Sequence, residues 1–174
     1  MDLREKKTRR SINNAFLQLR ANKALERITV KELTELAEIS KATFYLHYRD
    51  IYDLSERLQN DLIADILRGI SHPEYMVTNI SEFVSELFLA FHAQQSLIDI
   101  LFSGSQAYVL PNCIEEKLKA FIYKNLPDTE KNAKLNMRLT YQIQGGYYVY
   151  QKYYKEYGLD QVVAIVQEMS TNLQ

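Results

Sequence analysis

Two helix starts stand only eleven residues apart in this chain, at Thr29 and Ser40. A helix beginning at Thr29 therefore has room for barely two turns before the chain must turn and begin again. Thr29 is placed to cap the first helix, with Glu32 three residues on to complete a capping box. Ile28 and Leu33 flank the cap as a hydrophobic staple. The pattern predicts an end after Leu36-Ala37, a connection at Glu38-Ile39, and a second short helix from Ser40 as cap through Lys41 to about Tyr48. Asp50, with Asp53 at its N3 position, caps a third helix that continues through Leu54, Leu58, Leu62 and Ile66 to about Gly69.

Upstream, a first helix is expected from about Glu5 to Ala21, because Ile12, Ala15, Phe16 and Leu19 fall at i, i+3, i+4 and i+7. Lys6, Lys7, Arg9 and Arg10 crowd its start, where cations oppose the helix dipole, so an external anion is a natural explanation for them. Downstream, Ser71-His72-Pro73-Glu74 reads as a loop. Helices follow at about Ile80–Gln94, Leu97–Phe102, Asn112–Asn125, Glu130–Tyr157 and Leu159–Leu173, with breaks at Gly104, Pro111, Pro127 and Gly158. No strand pattern competes, and only 5 Gly and 3 Pro interrupt 174 residues. The expected class is all-α: an N-terminal three-helix domain over residues 1–50, then a helical bundle over 51–174.

Hydrophobic residues at 47% and charged residues at 25% suit a water-facing globular chain. The N-terminus carries no apolar stretch of signal-peptide length and no window is long enough to span a bilayer, so a cytoplasmic location without membrane contact is expected. Net charge is only -1, but it is unevenly placed: residues 1–50 carry +4 and residues 51–174 carry -5. A basic front and an acidic rear imply that the front alone meets phosphate.

Two short helices joined by a tight turn are the smallest unit that holds one helix in a DNA major groove. Val30, Leu33, Leu36 and Ala37 are expected to face inward from the first, and Phe44 and Tyr48 from the second. That turns Lys41, Ala42, Thr43, Tyr45, Leu46 and His47 outward, with Thr29 and Arg49 at the flanks. Lys41 suits a guanine edge or a phosphate, and Thr43 a base or a thymine methyl. Tyr45, His47 and Thr29 suit phosphates, and Ala42 leaves room for the backbone to approach.

The stretches Thr29-Val30-Lys31-Glu32-Leu33, Ala37 to Tyr48 and Asp53-Leu54 are in the order and spacing of a known signature. From about Thr8 to Leu58 the chain resembles the DNA-binding domain of the tetracycline-repressor (TetR) family. The resemblance implies a homodimer that binds a palindromic stretch of double-stranded DNA, more often a repressor, with a small-molecule or protein effector relieving repression. By position it implies phosphate contacts from Thr29, Tyr45 and His47 and base contacts from Lys41, Ala42 and Thr43. Two positions depart from the family. Glu38 stands in the turn where glycine is usual, and Ile51 stands where a lysine commonly grips phosphate, a role left to Arg49. They motivate an alternative, a helical dimeric interaction protein or co-activator with weak or lost DNA binding.

In the rear, Gly145-Gly146 interrupt a long helical pattern, and each costs about 1 kcal/mol against Ala. A close helix–helix approach would account for them. A C2 interface is expected from Gly145, Gly146, Tyr150, Val162, Val166 and Met169. Phe88, Phe91, His92, Phe102, Tyr108, Phe121 and Tyr141 are candidate lining for an effector pocket, although aromatic stripes at helical spacing are more often plain core. His47, His72 and His92 are not spaced as metal ligands, Cys113 has no catalytic signature around it, and no phosphate-binding glycine loop is present. No catalytic role, cofactor or metal is expected.

Overall fold

The computed structural model describes residues 3–72 and 74–172, and of Val77 the backbone alone. Pro73 of the expected loop and Leu173 at the expected end of the last helix lie outside the described residues. Among the described residues every regular element is helical, as the periodicity demanded. The helices are α1 (Leu3–Arg20), α2 (Val30–Leu36), α3 (Lys41–Tyr45), α4 (Ile51–Arg68), α5 (Tyr75–Thr78), α6 (Ile80–Ala93), α7 (Gln95–Leu101), α8 (Val109–Asn125), α9 (Ala133–Tyr157) and α10 (Leu159–Thr171). Short 3-10 turns lie at Leu25–Arg27, Gly104–Gln106 and Pro127–Thr129.

Several boundaries differ from the sequence pattern for local reasons. α5 is a single turn, too short to show a period. Pro111 does not stop α8 from starting at Val109, because it is the third residue of the helix, where a missing N–H breaks no intrahelical bond. α9 begins at Ala133 rather than Glu130: Pro127–Thr129 winds into a 3-10 turn, and Asn132 then caps the helix by accepting from Leu135 N at 3.0 Å.

The chain divides into two compact units, one running to Leu62 and including Ser96–Tyr108, the other formed by Ile63–Gln95 and the residues from Val109 onward. The first unit is thus larger than residues 1–50. Ile12, Ala15 and Phe16 of α1 are buried as expected, but Arg20, not Leu19, completes the inner stripe, at 4% exposure. Its guanidinium donates to Lys23 O at 2.7 Å and to Ser103 Oγ at 2.7 Å. Burial lowers its pKa, with Glu26 opposing. Gln59, also buried, donates to Leu101 O at 2.9 Å. A buried polar group is tolerated only when bonded. These two side chains therefore fasten residues 101–103 to α1 and α4.

In the second unit α10 packs on α6 and α9, and α8 packs on α9. The core is apolar: Phe83, Leu110, Ile114, Leu118, Ile122, Leu139, Val162 and Val166 are all buried. A Cβ on Gly146 would lie 3.5 Å from Val166 Cγ1 and 3.7 Å from Phe88 Cζ, so this glycine is where α6 and α10 close on α9. One polar network joins α8 to α9. Glu115 accepts from Lys119 Nζ at 2.8 Å, Thr140 Oγ1 at 2.6 Å and Gln144 Nε2 at 2.8 Å. Burial alone would raise its pKa; the three hydrogen bonds and the Lys119 charge outweigh it and hold the carboxyl at about 2.

A folded pKa below the ordinary 4.5 means that ionised Glu115 stabilises the fold above that pH, and that this stabilisation disappears as pH falls toward about 2. Urea midpoints at neutral pH and near pH 3 should therefore separate less in Glu115→Gln than in the wild-type chain. An equal separation would show that the network does not hold the charge.

Candidate nucleic-acid interface

α2 starts as its residues dictate. Thr29 Oγ1 accepts from Glu32 N at 3.2 Å, and Glu32 Oε1 accepts from Thr29 N at 3.0 Å, closing the capping box. Lys23 Nζ holds the other oxygen of Glu32 at 2.6 Å. Leu33 and Ala37 are buried and Val30 is half-buried, but Leu36 is 42% exposed, against the expected inward face. Thr34 is buried in its place, because its hydroxyl is satisfied by Val30 O at 2.8 Å and Lys31 O at 3.0 Å.

The turn after α2 has a defined form. Ile39 N donates to Thr34 O at 3.0 Å and Glu38 N to Glu35 O at 3.3 Å, the paired bonds of a Schellman ending. Such an ending needs a left-handed residue, and Glu38 supplies it with φ at +55°. Ser11 of α1 ties the turn down by donating to Ala37 O at 2.9 Å. Ser40 then caps α3, accepting from Thr43 N at 3.0 Å.

α3 is shorter than the sequence suggested, ending at Tyr45 instead of near Tyr48. The following residues tighten, with His47 N and Tyr48 N both donating to Phe44 O, at 2.9 and 3.0 Å. Phe44 is fully buried and Tyr48 nearly so. The Tyr48 hydroxyl donates to Asn13 Oδ1 of α1 at 3.1 Å, and Arg57 of α4 lies over its ring at 5.4 Å. The helix is thus anchored from one side. On the other side Lys41 and Ala42 are exposed, Tyr45 is 56% exposed with its ring edge-on to Phe44, and Leu46 is 83% exposed. Thr43 and His47 are half-buried, and the Thr43 hydroxyl lies 2.9 Å from that of Ser40.

At the flanks, Thr29 is exposed with its hydroxyl proton still available beyond the cap. Arg49 reaches into solvent, 80% exposed, with Nη2 3.6 Å from Asp53. Asp53 is buried, and its carboxyl pKa is lowered first by the hydrogen bond from Arg49 N and then by Arg57. Ile51 is buried at 5% exposure, so its side chain belongs to the core and offers nothing to a ligand. Lys31 and Lys41 are exposed, and among the described residues neither forms an ion pair. The arrangement presents cationic, hydroxyl and apolar groups on a short, rigidly backed ridge.

No family model matches the chain, and no curated protein or solved structure does either.

The other predicted sites are placed less favourably. Of the seven proposed pocket residues, Phe102 and Tyr108 belong to the first unit and Phe88, Phe91, His92, Phe121 and Tyr141 to the second. Tyr108 and Tyr141 are 72% and 68% exposed, so neither closes over an interior cavity. His92 is exposed and its Nδ1 lies 3.1 Å from the Tyr150 hydroxyl, which also donates to Gln95 at 2.9 Å. A cleft of about 250 Å³ sits at the start of α9, lined by Thr129, Asn132, Lys134, Leu135 and Arg138, none of them foreseen. Of the six interface residues, Tyr150, Val162 and Val166 are buried inside the chain itself and Gly146 is closed in by α6 and α10. Only Gly145 and Met169 remain open. The exposed stripe on α9 is instead Met137, Tyr141, Gly145 and Tyr148, and Ile165 and Met169 are exposed on α10.

Substitutions should separate support from surface. In urea unfolding, Phe44→Ala should cost about 3–5 kcal/mol, and Leu46→Ala should stay within about 0.5 kcal/mol of wild type. Glu38→Gly should stabilise by about 1 kcal/mol by removing the left-handed strain. A destabilised Glu38→Gly would mean that the side chain has a folding role.

Proposed function

We propose that the chain is a sequence-specific DNA-binding transcription regulator of the TetR kind, acting as a homodimer and more often a repressor than an activator. One observation carries the reading: α3 is anchored through the buried Phe44 and Tyr48 and leaves Lys41, Ala42, Tyr45 and Leu46 exposed. An exposed helix edge backed by a packed support is what major-groove entry requires. Lys41 and Thr43 read bases, and Tyr45, His47, Thr29 and Arg49 hold phosphates. The basic balance of residues 1–50 supports the same assignment. Relief by an effector in the second unit needs only about 1–3 kcal/mol of coupling between the sites.

A gel shift with DNA flanking the coding region tests this. Salt-sensitive binding should fall at least tenfold, about 1.4 kcal/mol, in Tyr45→Ala. Absence of binding even at low salt would favour the second reading, a helical interaction protein. The buried Ile51 and the acidic Glu38 speak for that reading, since both remove expected attraction for phosphate.

The homodimer rests on the outward stripe of α9 and α10, an exposed apolar band rather than the residues first expected. Sedimentation should give a dimer, and Gly145→Glu should give a monomer with unchanged helicity. Among the described residues nothing beyond its chain neighbours and its own helix backbone lies within 4 Å of a Cβ at that position, so the substitution has room in the fold. A monomeric wild-type chain would remove the palindrome from the proposal.

A further inference from the structure

We propose that the Glu38 carboxylate is a brake on DNA affinity, a fixed negative charge beside the recognition helix that weakens binding to duplex of any sequence. The proposal rests on the DNA-binding reading above.

The backbone at Glu38 is strained. Among the described residues Glu38 is the one non-glycine with positive φ, and the Schellman geometry of its turn leaves no alternative backbone. A glycine would fit without penalty. The fold gains nothing in return: Glu38 is exposed, and its carboxylate forms no hydrogen bond or ion pair among the described residues. The other acids nearby have evident work. Glu32 closes the cap of α2, Glu26 accepts from Ser105, Asp50 caps α4 and Asp53 pairs with Arg57. Glu35 is exposed like Glu38, but it lies within a helix, which glutamate favours. Glu38 alone is both strained and idle within the chain. A strained residue that the surroundings hold in place is a pointer to function.

Position supplies the function. Glu38 precedes Lys41 by three residues, so the two Cα atoms are at most about 11 Å apart. That is close to the screening length at physiological salt, about 8 Å. A phosphate drawn to Lys41 is therefore within the field of this carboxylate. The turn's backbone is pinned by Ser11 and by the bond from Ile39 N to Thr34 O, so the residue carrying the charge stays beside the start of α3. Repulsion of a few phosphates through water corresponds to roughly three- to tenfold in affinity. Because the phosphates are the same in every sequence, the penalty falls on all duplexes alike and leaves base discrimination to Lys41, Ala42 and Thr43.

Glu38→Gln removes the charge and retains the side-chain shape and the positive φ. Binding to a labelled mixed-sequence duplex and to DNA flanking the coding region would be followed by fluorescence anisotropy across salt concentrations. Glu38→Gln should bind both roughly three- to tenfold more tightly, with a salt dependence steeper by about one ion, and with an unchanged urea midpoint. Lys41→Ala, which should weaken binding, is the control. If Lys41→Ala weakens binding and Glu38→Gln leaves it unchanged, the brake is overturned while the DNA reading stands. If Glu38→Gln weakens binding, the brake is also overturned, and the carboxylate is accepting from a base such as cytosine N4. If neither wild type nor Glu38→Gln binds duplex at low salt, the DNA reading itself falls and the brake with it.

Discussion

A helix of five residues cannot hold itself together. Nucleating a turn fixes several dihedrals for one hydrogen bond, and α3 is too short to recover that loss by propagation. Its existence depends on Phe44, fully buried, with Tyr48 at its back bonded to Asn13 of α1. The rest of the first unit can be understood as the means of keeping that pocket closed. α1 contributes Ile12, Ala15 and Phe16 to the core; α2 contributes Leu33 and a satisfied Thr34; α4 contributes Ile51 and Leu54 and sets Arg57 over the Tyr48 ring. Ile51 shows how binding and folding compete for one position. The start of α4 lies close to the end of α3, where a cation would be useful to a phosphate ligand, and an apolar residue stands there in the core.

What was legible beforehand was what is local in sequence. The caps at Thr29, Ser40 and Asp50, the turn between them and the burial of Phe44 all follow from hydrogen bonds three or four residues long and from a 3.6-residue period. The left-handed residue at Glu38 was suggested only by the resemblance, through the glycine usual in that turn. The exposure of Tyr45 and Leu46 followed from the same wheel that buried Phe44 and Tyr48.

What was not legible depends on partners far away in the chain. Arg20 sits on the buried stripe only because Ser103 offers it an oxygen 83 residues later, and the first unit includes 96–108 through that contact and through Gln59. An arginine four residues beyond Phe16, in step with the apolar stripe, was the available signal, and apolar patterning alone passes over it. Leu36 and Thr34 exchanged places because a threonine can satisfy its hydroxyl against its own helix and so be buried cheaply. The aromatic residues of the middle helices could not be sorted into core and pocket by composition, and Tyr108 and Tyr141 lie exposed, outside the core.

The glycine pair of α9 carries the same lesson one step further. The two residues are adjacent and have identical propensities, yet they face different surroundings. Gly146 lies against Val166 and Phe88, so the packing of α6 and α10 makes use of its missing side chain. Gly145 points to open space between Tyr141 and Tyr148, and among the described residues no side chain makes use of it. A glycine in a helix interior weakens the helix by about 1 kcal/mol relative to alanine whichever way it faces. For Gly146 the packing of one chain offsets that loss. For Gly145 no offsetting contact is found among the described residues, and Tyr141 and Tyr148 lie exposed along the same helix face. This is why the homodimer reading attaches to Met137, Tyr141, Gly145 and Tyr148, the face α9 leaves open, and not to Tyr150, Val162 and Val166, which the chain has already closed within itself.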